Sequence, residues 1–518
     1  MLYLAFIYHM HQPYYRNLLT DECRFPWVRL HGIKDYLDMV EVLADYPQVH
    51  QTFNLVPSLV EQIEDYVRGN TKDLFFSLSA KPAAELTPQD KQFILEHFFM
   101  IDVERVISVF PRYYELYRKK RDNGNFATQD YLDLQVWFNL AWIDPLFRES
   151  FAQLRALVYK GRFFSEEDKQ ICLDAQDDIL KGIIPAYKKF RESGQIEITV
   201  SPYYHPILPL LYNTLIAKEA NLKTTLPKAI FSYPEDANAQ VVKATEFFKQ
   251  IFGALPSGMW PSEESVSEHI LPFIIQSGIN WIVTDEAILF KTLKKKKRDT
   301  ALLYKPYFLK RKDGALNIVF RDRNLSDLIG FVYHRWRSED AVADFSKHLE
   351  NIASTFKEKN PLVVIALDGE NAWEYYRNDG RDFLKLLYQR ISQDKNIKAV
   401  TVSEYLKAFP PKENLKRIAP GSWIYGDFNK WIGNPYKNLA WEYLAKARQE
   451  WESLKEQVTG PKLDLAWKQM YICEGSDWFW WYGENHQHFD ELFRMHLSNF
   501  YTIIGKEIPG YLNRPLRP

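Results

Sequence analysis

Short β-branched or aromatic runs that stop on polar residues recur through roughly the first 400 positions, and stretches of helical spacing separate them. Seven runs stand out: Leu2 to Tyr8, His50 to Asn54, Ile196 to Ser201, Ala254 to Trp260, Trp281 to Thr284, Asn317 to Arg321 and Leu362 to Leu367. An eighth candidate, Ala399 to Val402, precedes a helical start at Ser403-Glu404. Strand and helix alternating over this length predict a parallel α/β barrel. From about Thr71 to Tyr187 the rhythm breaks into a long helix-patterned stretch with Trp137 and Trp142, which predicts a helical insertion over the barrel mouth. After Pro410-Pro411 the β signal vanishes, and residues 437–458 and 487–504 carry helical spacing. The expected organisation is a barrel part, residues 1–410, and a helical C-terminal domain, residues 411–518.

Composition narrows the function classes. A chain of 518 residues with 46% hydrophobic content can bury one large core and a smaller one. Its 66 basic and 67 acidic residues leave a net charge of −1, which gives no field to gather nucleic acid or an anionic membrane. A neutral polymer or small molecule fits better as a partner. Aromatic residues make up 15% of the chain, more than a core alone calls for, so some are expected to line a groove. Cys23, Cys172 and Cys473 lie far apart without CxxC spacing, which argues against a zinc site or disulfide framework and for a reducing compartment. No secretory leader is expected ahead of the run at Leu2, and no stretch approaches 18 apolar residues; a cytoplasmic protein is the expectation. The run Lys294 to Arg298 reads as a solvated loop.

Candidate chemistry gathers where strands end. The run Leu362 to Leu367 stops on Asp368-Gly369-Glu370-Asn371-Ala372-Trp373, and another stops at Trp260-Pro261-Ser262-Glu263-Glu264. Residues just past a strand's C-terminal end face the ligand in α/β folds. Two carboxylate clusters, each beside a Trp, point to sugar chemistry, because glycosidic cleavage uses paired carboxyls and sugar rings stack on aromatic faces. Asp368 beside Glu370 is the kind of carboxyl that like charge and burial keep protonated, as a general acid must be. Glu263 precedes Ser265-Val266-Ser267-Glu268, which has capping-box form, and a carboxylate near a helix start stays ionised, as a nucleophile must. Residue chemistry alone does not choose between Glu263 and Glu264.

At the end of the first run, His9 and His11 share a strand face, open to three readings: metal ligation, hydrogen bonding to substrate, or core packing. Glu197 interrupts an apolar run and must be paired or used, and His205 follows that run in a Pro-rich loop. Late in the chain, Gly421 to Trp431 and Glu474 to Gly483 concentrate aromatics, Trp423, Trp478 and Trp481 among them, as domain anchors or as stacking platforms.

Together these segments closely resemble glycoside hydrolase family 57, the α-glucan-acting enzymes of the amylase and amylopullulanase kind. The family's motifs recur in order: His11-Gln12-Pro13; Gly194-Gln195-Ile196-Glu197 with the later His205; Trp260-Pro261-Ser262-Glu263; Leu367-Asp368-Gly369-Glu370-Asn371; and a last one around Trp423 to Asp427. The resemblance implies an incomplete (β/α)7 barrel followed by a helical bundle that closes one side of the cleft. It implies Glu263 as nucleophile and Asp368 as general acid/base in a retaining double displacement on α-1,4 links, with α-1,6 links also in reach. Glu264 stands where the family usually has a small or polar residue. Sugar contacts are expected from His9, His11, Gln12, Glu197, His205, Glu370 and Asp427, and stacking from Trp260, Trp373, Trp423, Trp478 and Trp481. Starch, glycogen, maltooligosaccharides and pullulan are the expected substrates, with no metal or other cofactor. The nearest alternative is transglycosylation, as a 4-α-glucanotransferase or glycogen branching enzyme. A metal-dependent polysaccharide deacetylase is more distant, since no third His or Asp pair is seen near His9 and His11.

Overall fold

The computed structural model describes residues 1–356, 359–370, 372–484 and 487–517. Nine strands matter for the site: β1 Leu2–Met10, β2 Gln51–Leu55, β3 Ile196–Thr199, β4 Gly258–Met259, β5 Trp281–Asp285, β6 Tyr307–Arg311, β7 Gly314–Arg321, β8 Leu362–Asp368 and β9 Ile397–Ala399. β1 is buried along almost its whole length, as suits a central strand covered on both faces. It pairs in parallel with β8, from Tyr3↔Leu362 to His9↔Asp368, and with β2, from Ile7↔Thr52 to Met10↔Leu55. β3 continues from β2, and β9 pairs with the first residues of β1. This register sets His9, Asn54 and Asp368 side by side at the strands' C-terminal ends.

A second sheet runs β4-β5-β7-β6. Its one antiparallel member, β6, forms a hairpin with β7 that the sequence pattern did not reveal, because charge breaks up the run Tyr-Phe-Leu-Lys-Arg. The two sheets touch at both edges. Val200 bridges Met259 in parallel at one edge, and the Asp322 N–H donates to the Val364 carbonyl at 2.8 Å at the other. Alternate residues of the strands, among them Ala5, Ile7, Val283, Val319, Val364 and Ala366, pack with Trp260 and Trp281 in a small core of their own. The large core runs from Leu2 to Leu516 and takes in the opposite faces of the strands and the late helices alike. This is an α/β fold with parallel sheet and many helices.

All seven expected runs contain strand, but the fourth shrinks to Gly258–Met259. A Cβ at Gly258 would stand 2.2 Å from the Trp281 ring, so only glycine lets β4 lie against β5. The eighth is shifted to Ile397–Ala399, because Thr401 and Glu404 form a capping box that starts the helix at Val402. Helices fill the stretch from Leu74 to Glu192, ending in the 27-residue Glu166–Glu192 that leads into β3. Four more occupy Pro435–Leu454, Pro461–Cys473, Ser476–Trp481 and Gln487–Ile504. Among the described residues, no helix is long and apolar enough to cross a membrane.

Candidate active site

A cavity of about 620 Å³ opens at the ends of β1 and β8, where His9, His11, Asp368 and Glu370 form part of its wall. A Cβ at Gly369 would fall 2.1 Å from Met10 Sδ, so this glycine lets the two strand ends close together. Glu370 is buried; its Oε1 accepts the His11 backbone N–H and the Tyr36 hydroxyl, each at 2.8 Å. Burial, with the charge of Asp368 adding to it, pushes the Glu370 carboxyl up to about 8. Asn371, the last residue of that motif, lies outside the described residues.

Three imidazoles crowd the end of β1. The His9 ring stacks on Trp260 at 4.8 Å, and its Nδ1 lies 2.6 Å from Asn54 Oδ1 on β2. His205 stacks on His11 with centroids 4.0 Å apart and lies 4.9 Å from the His9 ring. Burial and the charge of His11 hold His9 down at about 3, and burial with both neighbouring histidines holds His205 well below the usual range, so both are neutral. Residues from the far end of the chain fix two of these rings: His11 Nε2 lies 2.9 Å from Asp477 Oδ1, and His205 Nδ1 lies 3.0 Å from Ser476 Oγ.

Glu263 enters the same cavity from the turn after β4. Glu263 and Glu264 have φ of 58° and 52°, two consecutive left-handed residues, and this turns their side chains different ways. Glu263 lines the cavity, whereas the Glu264 carboxyl is wholly buried, with Arg321 its main compensating charge. The expected helix start at Ser265 does not form: Val266 instead bridges Gly421, a short 3-10 turn follows at Glu268–Ile270, and α-helix begins at Leu271. Glu263 is held by Trp423, whose backbone N–H donates to its carbonyl at 3.1 Å and whose indole Nε1 donates to its Oε2 at 2.7 Å. Burial and the charge of Asp368 hold the Glu263 carboxyl well above its usual range, with the indole N–H only partly opposing them, so the ionised state expected from a nearby helix start is not what the fold favours.

Residues 5–418 match the family model for glycosyl hydrolase family 57. The chain belongs to this family. It is 23% identical over 277 residues to an alpha-amylase of Pyrococcus horikoshii, covering 52% of this chain and 36% of that protein. A 4-alpha-glucanotransferase of Thermococcus kodakarensis is 23% identical over 243 residues, 45% of this chain and 30% of that one. The chain thus spans about a third of the length of these curated relatives. Its fold is similar to the crystal structure of a family 57 branching enzyme from Pyrococcus horikoshii, with a TM-score of 0.62, 18% identity, and coverage of 97% of this chain and 89% of that one.

Of the family 57 site residues expected from sequence, the cavity wall gathers His9, His11, Gln12, Glu263, Asp368, Glu370, Trp423 and Trp481. Others stand elsewhere. Glu197 lies near the start of β3, away from the cavity, where Trp281 Nε1 and Ser403 donate to it. Asp427 ties a loop together through Asn221 and Asn429. Trp260, Trp373 and Trp478 are buried to within 1% of full burial, so their faces are covered by protein and not offered to a sugar. Trp423 lines the wall as a hydrogen-bond donor to Glu263.

Asp477, within the aromatic run Glu474 to Gly483, carries no signal of its own in the sequence. The expected lack of a third His near His9 and His11 is corrected by the fold: among the described residues, His11, His205 and Asp477 bring one ligand atom each within 4.8 Å of one another, close enough to hold a metal ion. The helical stretches complete the wall with Asp102, Trp142, Trp480 and Phe489.

Proposed function

We propose that this chain is a retaining glycoside hydrolase acting on α-1,4 links of starch, glycogen and maltooligosaccharides, and on α-1,6 links such as those of pullulan. The observation that carries this reading is the meeting of Glu263 and Asp368 on one cavity, with Glu263 held by the Trp423 indole. Glu263 attacks the anomeric carbon while Asp368 protonates the departing glycosidic oxygen, leaving a glucosyl ester on Glu263. Asp368 then takes a proton from water, whose oxygen displaces Glu263. Neutral His9 and His205 fit the binding of hydroxyls, and the buried atoms His11 Nδ1 and His205 Nε2 have no protein partner, which supports a polar ligand there. In this reading the strands of the seven expected runs, β1, β2, β3, β4, β5, β7 and β8, form an incomplete (β/α)7 barrel, residues 1–410, carrying a helical insertion at about 71–187. Residues 411–518 form the helical domain on the cleft, and the enzyme is cytoplasmic.

Transglycosylation is the second reading, because a sugar hydroxyl takes the place of water in the same second step. The relative named 4-alpha-glucanotransferase and the branching enzyme of similar fold favour it. Incubation with amylose, pullulan and a short maltooligosaccharide, followed by product sizing and a count of new reducing ends, separates the two. New reducing ends in step with cleavage mark a hydrolase; redistributed chain lengths without them mark a transferase. Prolonged dialysis against a chelator is expected to leave cleavage intact. A loss reversed by zinc would instead point to the metal-capable set of His11, His205 and Asp477 and to deacetylase chemistry.

The aromatic residues make a further prediction. Trp481 lines the cavity, so Trp481→Ala should weaken use of long glucans more than short ones, since a remote stacking contact acts only when a chain reaches it. Trp478 is buried and its indole donates to the Ile472 carbonyl at 2.7 Å. Trp478→Ala should therefore lower the melting midpoint and affect all substrates alike.

A further inference from the structure

A carboxylate oriented by one indole N–H is only as well fixed as the indole. Trp423 stands in no helix or strand, in a stretch where Gly421, Tyr425 and Gly426 all have positive φ. Something outside that stretch must steady the ring. Arg321, the last residue of β7, is 5% exposed, and its guanidinium lies 5.3 Å from the centre of the Trp423 ring. The remaining bonds of that guanidinium fix its place. Its Nε donates to the Ala366 carbonyl at 2.7 Å, and its terminal nitrogens reach Asp327 at 2.6 Å and Asp285 at 3.4 Å. Ala366 stands in β8 two residues before Asp368. One side chain therefore touches both the strand that ends in Asp368 and the ring that holds Glu263.

We propose that Arg321 is the positioning residue that couples the two carboxylates, setting Glu263 through the face of Trp423 while it is itself anchored on the strand that carries Asp368. This rests on the reading of Glu263 and Asp368 as the reacting pair. A buried cation over an indole face is an attraction that an ammonium on a flexible stem does not reproduce together with the fork of hydrogen bonds. The charged groups around Arg321 are Asp285, Asp327, Glu264 and Arg323. Arg323 also bonds Asp285 and donates to the Trp423 carbonyl at 3.4 Å, a weaker second hold on the same residue.

The test compares Arg321→Met, Arg321→Lys, Trp423→Phe and the double variant Arg321→Met/Trp423→Phe on a chromogenic maltoheptaoside. If Arg321 acts through the ring, Arg321→Met should lower kcat by about 10 to 100-fold with KM nearly unchanged, as for an interaction realised at the transition state. The double variant should be no worse than Trp423→Phe alone. Losing or displacing the indole donor destabilises ionised Glu263, so the acidic limb of kcat/KM should move to higher pH in Trp423→Phe and in Arg321→Met, and Arg321→Lys should fall between Arg321→Met and wild type. Multiplicative losses in the double variant, or a limb that stays at the wild-type pH while kcat falls, would overturn the proposal. Should Arg321→Met fail to fold, the limb of Arg321→Lys decides between the same two outcomes: displaced to higher pH it supports the coupling, and unmoved it removes it. Wild-type turnover of the maltoheptaoside and its loss in Glu263→Ala test the underlying reading separately.

Discussion

Glu263→Ala is expected to lose glucan cleavage by roughly 10³-fold or more while keeping its fold, and Glu264→Gln is expected to keep most of its activity. The contrast follows from the turn after β4, which puts one glutamate in the cavity and buries the other. Cleavage of an α-maltosyl fluoride, whose leaving group needs little acid help, then reads the role directly. With azide present, Glu263→Ala should yield the β-configured glycosyl azide, because azide enters the space the carboxylate left. Asp368→Ala still forms the ester on Glu263, so azide should displace it from the opposite face and give the α product. Opposite configurations from the two variants assign both roles. Wild-type activity in Glu263→Ala, or the same anomer from both, would remove the double displacement.

Arg448→Met is expected to cost about 3–5 kcal/mol of stability, the scale for breaking a buried ion pair and leaving its partner charged. Arg448, on the helix Pro435–Leu454, is fully buried and bonds both oxygens of Asp236, on the helix Pro234–Phe252, at 2.6 and 3.1 Å. It also lies over the Tyr233 ring at 4.1 Å. Without it, Asp236 and Glu474 are two neighbouring buried carboxyls with no cation between them. A fall in the urea or thermal midpoint, read beside Arg448→Met/Asp236→Leu, measures this. The double variant should recover part of the loss because it leaves one fewer charge buried. A loss below about 1 kcal/mol in Arg448→Met would mean the late helices are held by apolar packing alone.

The strands were legible because a buried strand needs an unbroken apolar run and announces its end with the first polar residue. β1 and β8 do both, which is why His9 and Asp368 could be named before their register was known. β6 was not legible: it is a half-exposed hairpin arm, and its charged residues read as loop. The capping-box pattern at Ser265 was misleading for a related reason. Local hydrogen bonds favour a helix there, but pairing of Val266 with Gly421, far along the chain, gives its backbone another partner.

Sequence by itself determined the family, the two strand-end carboxylate clusters and the crowd of aromatics, since each is a property of residues close together in the chain. Tertiary structure decided which members of those clusters meet. The turn at Glu263 and Glu264 chose between two adjacent carboxylates through backbone φ, which no spacing encodes. Asp477 reached His11, His205 stacked on it, and Glu197 and Trp478 went to structural partners, by contacts between residues remote in sequence. Such contacts arise from packing the whole core at once, so the chemistry of the residue types was readable along the chain and their assembly only in the fold.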